Sequence, residues 1–158
     1  MLWIYLLATA GIGALWGWFR QPYVVTVGEN QALDLAVGSD SVEFTNFATY
    51  YVVVLLIALG IGLYFVMKQK TNLSHLIFSG FLAVLACGTV WYIGQWMGLA
   101  HYGSVDFNTL SEGQTVSVLP KFTVGATVIL VPALTMTMVW SSALSQLVLE
   151  RKEEAEKA

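Results

Sequence analysis

Charged residues along this chain are spaced so that they leave four long apolar runs. No Asp, Glu, Lys or Arg occurs in Met1–Phe19, in Phe44–Met67, in Leu76–Ala100 (a run bounded by His75 and His101) or in Phe122–Leu149. A helix rises about 1.5 Å per residue and needs roughly 20 apolar residues to cross the hydrocarbon core of a bilayer. Each run reaches or approaches that length. A backbone in lipid must satisfy its own hydrogen bonds, so each run is expected to be a helix. The segments of about ten alternating residues that mark a barrel strand are not present. The pattern predicts an all-α membrane protein, a bundle of four transmembrane helices at about 2–19, 44–67, 76–100 and 120–149. Residues 1–149 then form one domain, and 150–158 a charged tail.

The first run lacks the marks of a cleaved leader. Leu2 and Trp3 follow Met1 with no basic residue, and Leu15–Phe19 lacks the small residues of a cleavage site. It is expected to be retained as a helix.

Basic residues set the expected orientation. Lys68 and Lys70 lie in the short loop between the second and third runs, and Arg151, Lys152 and Lys157 in the tail. The two long loops, 20–43 and 101–119, contain Arg20, and Lys121 follows the second of them; their acids are Glu29, Asp34, Asp40, Glu43, Asp106 and Glu112. The positive-inside rule places both termini in the cytoplasm of a multi-pass plasma-membrane protein, with the two long loops outside. In the first loop Leu33, Leu35 and Val37 alternate with Asp34 and Ala36, and Gly28-Glu29-Asn30 can turn the chain. The second offers Val105–Leu110, a turn at Ser111–Gln114 and Thr115–Val118. Each reads as a short β-hairpin, and the two are expected to pack as a cap over the outer helix ends.

Side-chain size suggests how the helices meet. In lipid, small residues let backbones approach closely. Thr9, Gly13 and Gly17 form one stripe, Ala58 and Gly62 a second, Ser79, Ala83 and Cys87 a third, with Gly94 and Gly98 beyond it. Gly125 is expected to serve the fourth helix, and Pro132 to kink it by removing a backbone donor. Trp3, Trp16, Trp18, Trp91, Trp96 and Trp140 are expected at the membrane interface in contact with lipid, where amphipathic rings are favoured. A quinone- or lipid-binding groove lined by Trp16, Trp18, Trp91 and Trp96 is the sharper reading of the same residues. Residues 150–158 are rich in helix formers and are expected to prolong the fourth helix.

Composition agrees with this picture and narrows the function. Hydrophobic residues make up 57% and charged residues 11%, against about 25% charged in a soluble domain; mean hydropathy is +0.70. A net charge of -3 gives no reason to expect nucleic acid as a partner. The lone Cys87 makes neither an internal disulfide nor a multi-cysteine metal site. The runs contain none of the ionisable residues that proton relays and ion pumps keep within the membrane. His75 and His101 fall at opposite ends of the third helix and cannot share a haem. Glu29, Asp34, Asp40 and Glu43 lack calcium-loop spacing and read as solvated carboxylates. The motifs of zinc proteases, nucleotide-binding loops and serine hydrolases are missing.

Three functions follow from these features. The first is a non-catalytic accessory subunit of a larger membrane complex, with no cofactor of its own, in contact with membrane lipid and other integral subunits and compatible with bound phospholipid. The alternatives are a small homo-oligomeric carrier or lipid-handling protein, and a membrane enzyme using loop carboxylates. Gly13-Ala-Leu-Trp16, Pro22, Phe44, Phe47, Gly88, Trp91 and Gly94 give the chain a resemblance to small four-helix membrane proteins of unknown function from actinobacteria, over nearly its whole length. In size and topology it also resembles the accessory subunits of actinobacterial respiratory supercomplexes, in which cytochrome bc and cytochrome aa3 oxidase associate. That resemblance implies a structural role in which the redox centres of electron transport belong to neighbouring subunits.

Overall fold

The computed structural model describes residues 2–28, 32–36, 39–68, 72–106 and 110–157. Four helices and a small sheet follow in the order α1 (Leu2–Trp18), β1 (Tyr23–Val27), β2 (Leu33–Leu35), a 3-10 turn (Ser39–Ser41), α2 (Val42–Met67), α3 (Leu73–Tyr102), β3 (Thr115–Val118) and α4 (Thr127–Lys157). Among the described residues three helical segments are long and apolar enough to cross a membrane: Val42–Met67, Leu73–Tyr102 and Thr127–Leu149. The wholly uncharged α1 has 17 residues, about 26 Å of helix, just under the roughly 30 Å hydrocarbon thickness. The tail continues α4 as far as Lys157.

The helix ends differ from the expected ones for local reasons. α3 begins at Leu73 rather than 76 because Asn72 caps it: the Asn72 side-chain oxygen accepts the His75 amide at 2.9 Å, which satisfies an orphan donor of the first turn. It ends where Gly103 takes a left-handed φ of 77° and donates its amide to the Leu99 carbonyl at 2.8 Å, a glycine C-cap. The largest difference is in α4, expected from about residue 120 and found from Thr127. Gly125, expected on the packing face of that helix, instead sits in the turn before it with φ 51°. Side chains elsewhere capture the Pro120 and Phe122 carbonyls, so these oxygens are taken before a helix can use them. Pro132 lies inside α4, whose helical backbone runs on through it.

The contacts divide the chain into two compact units, Met1–Val52 with Thr89–Thr123 and Val53–Gly88 with Val124–Ala158. In the first, α1 crosses the second half of α3 at backbone distance. A Cβ on Gly17 would fall 2.3 Å from the Gly94 oxygen and 2.8 Å from its Cα, and one on Gly13 2.8 Å from the Val90 oxygen. The same unit holds the sheet, in the order β2-β1-β3, antiparallel throughout. The first long loop forms the expected hairpin, with Val25 opposite Leu35 and its turn closed by the Gly28 amide on the Ala32 oxygen at 2.7 Å. The second loop adds one strand where a hairpin was expected. Val105 and Asp106 are not in a strand, and 107–109 lie outside the described residues. Its strand β3 pairs with β1, Val116 opposite Val25, after a turn at Ser111–Gln114 in which Gly113 has φ 80°.

The second unit packs parts of three helices through buried stripes at helical spacing. These are Val54, Ala58, Ile61 and Phe65 on α2, Ser79, Ala83 and Cys87 on α3, and Thr127, Val131, Thr135 and Val139 on α4. A Cβ on Gly62 would meet the Met138 sulfur at 3.0 Å, and one on Gly80 the Met136 sulfur at 2.7 Å. Buried hydroxyls bond back along their own helices, Ser79 to the Leu76 oxygen at 2.8 Å and Thr135 to the Val131 oxygen at 3.0 Å. These two hydroxyls thus enter an apolar core with an acceptor for each.

Candidate functional site

Polar side chains in the first unit converge on one residue, Arg20, just past the end of α1. Its exposure is 2%. The guanidinium donates through Nη1 to Gln95 Oε1 on α3 and through Nη2 to the Pro120 carbonyl at 2.8 Å. It also lies over the rings of Trp16 and Phe122, 5.0 and 5.6 Å from their centroids, a cation–π arrangement that gains strength where water is excluded. Both hydrogen-bond acceptors are neutral, and the buried Nε has no hydrogen-bond partner among the described residues. Desolvation pulls the guanidinium down from its ordinary pKa to about 10, so it remains cationic at neutral pH.

Neighbouring groups anchor the same region. The Phe122 carbonyl accepts from Trp91 Nε1 at 3.0 Å and Gln95 Nε2 at 2.7 Å. The Arg20 carbonyl accepts the Tyr102 hydroxyl at 3.0 Å. Asn46, buried on α2, holds the Gln21 backbone from both sides, accepting its amide at 3.0 Å and donating to its carbonyl at 2.8 Å. Trp16 and Tyr50 each meet Phe122 edge to face, with centroids 5.3 and 5.0 Å apart, and lie tilted against one another at 5.1 Å. Every member hydrogen-bonds or stacks. The cluster ties the end of α1, the start of α2, the second half of α3 and the 120–122 segment together, and its chemistry is that of a latch.

The expected site residues distribute as follows. Gly13, Gly17, Gly94 and Gly98 line the α1–α3 crossing, where a Cβ on Gly98 would meet Leu119 at 2.7 Å. Thr9 is buried and bonds to the Tyr5 and Leu6 carbonyls. Cys87 lies 4.0 Å from the Thr127 oxygen in the other unit's core. Trp3, Trp18, Trp96 and Trp140 are exposed and Trp91 is half-buried. Trp16, expected to touch lipid, is 6% exposed: the Arg20 cation and two rings cover its indole, whose Nε1 donates to Thr49 at 3.3 Å. Its burial also removes it from a shared groove of Trp16, Trp18, Trp91 and Trp96. Asp34 and Glu43 are exposed, the Asp40 side chain and Glu29 lie outside the description, and no three His, Cys, Asp or Glu among the described residues are grouped to hold a metal ion.

Arg20, Gln95 and Asn46 were not among the expected site residues. The available signal was a strongly polar Gln95 inside an apolar run, Asn46 near the start of another, and one cation placed directly after a third. Comparison with models of protein families, with curated proteins and with solved structures found no match to this chain.

Proposed function

We propose that this chain is a multi-pass plasma-membrane protein that acts as a non-catalytic accessory subunit of a larger membrane complex. The observation that carries this reading is how little of each apolar span the chain covers. Within the three long spans 33%, 33% and 28% of residues are buried, and the remaining surface carries large side chains such as Leu56, Leu63, Phe81, Tyr92, Ile129 and Leu147. Apolar surface of that extent is covered by lipid, by other helices or by both. α1 makes the fourth crossing, since its short length needs only slight local thinning of the bilayer. Both termini then face the cytoplasm, with Lys68 and the basic tail residues. The sheet and the Arg20 latch give the first unit a firm surface on which a neighbour can seat.

The test is purification of the full chain from its native membrane in mild detergent, with identification of the chains that accompany it. A defined set of integral subunits is expected. Migration as a lone monomer overturns the reading, and a pure homo-oligomer would favour the carrier or lipid-handling alternative. The actinobacterial respiratory assembly whose accessory subunits the chain resembles in size and topology is the first complex to examine. Loss of the chain should there lower the amount of intact assembly or its oxidase activity.

A further inference from the structure

We draw no further inference here: the strongest candidate, the apolar groove between the start of α3 and the second half of α4 lined by Leu73, Leu76, Val139 and Ala143, is an unpartnered face, and nothing in the structure shows what covers it.

Discussion

Two glycines in α1 have opposite consequences for the same substitution. At Gly17 an added Cβ meets the Gly94 backbone at 2.3 Å, whereas at Gly11 nothing lies within 4 Å. Backbone cannot step aside as a flexible side chain can, so Gly17→Ala should cost about 1–3 kcal/mol. Gly11→Ala should remain within about 0.5 kcal/mol of the parent. Denaturant titration in detergent micelles checks both, and equal losses would mean that α1 does not cross α3 at this point. Arg20 permits a second residue-scale prediction. Arg20→Met keeps much of the apolar stem but leaves Gln95 Oε1 and the Pro120 carbonyl without their donor. Bonds to a charged group contribute about 1.5–3 kcal/mol, so a loss of that order is expected in the same titration. Desolvation lowers the folded pKa of Arg20 to about 10. Below that value the group is charged whether folded or unfolded, and its contribution does not vary with pH. Above it the unfolded chain holds a proton that the folded chain releases, so the contribution rises with pH. Stability lost on alkalinisation between pH 6 and 9 therefore comes from other groups.

Pairing of β1 with β3 joins two loops far apart in sequence. Thr26 and Thr115 stand directly opposite one another, their hydroxyl oxygens 3.4 Å apart on the exposed side of the sheet. Opposed residues of an antiparallel pair lie within disulfide range. The double substitution Thr26→Cys, Thr115→Cys should therefore close a disulfide under mild oxidation, while buried Cys87 stays reduced. Peptide mapping by mass spectrometry detects the cross-link, and its absence would show that the second loop does not pair with β1. The hairpin β1–β2 was legible from the alternation of Leu33, Asp34 and Leu35. The partner of β3 was not, because a run such as Thr115–Val118 looks the same whichever strand it joins. The start of α4 was likewise hidden: Pro120 suits a first helical turn, and Gly125 reads equally as a packing residue inside a helix and as the turn before one.

At the scale of the whole chain, the consequence of the apolar runs is topology. A reporter active only outside the cytoplasm should be silent when fused at either end and active when inserted between Gly113 and Gln114, in the turn before β3. Activity at the N-terminus alone would mean that α1 does not cross. The exposed apolar surface of the spans also predicts that the chain needs detergent or lipid to remain dispersed.

Charge spacing by itself determined the number of helices, the apolar character of the spans and the division into short basic and long acidic connections, because burying an unpaired charge in hydrocarbon costs more than any local preference returns. The small-residue spacing of Gly13 and Gly17 likewise announced a close helix crossing. Only the tertiary structure decided which helix they meet, that Trp16 is covered by a cation rather than by lipid, and that Pro120 and Phe122 spend their carbonyls on Arg20, Trp91 and Gln95 instead of on a helix. The carbonyl bonds join groups 27 to 100 residues apart, and no local pattern encodes which distant donor reaches a carbonyl first.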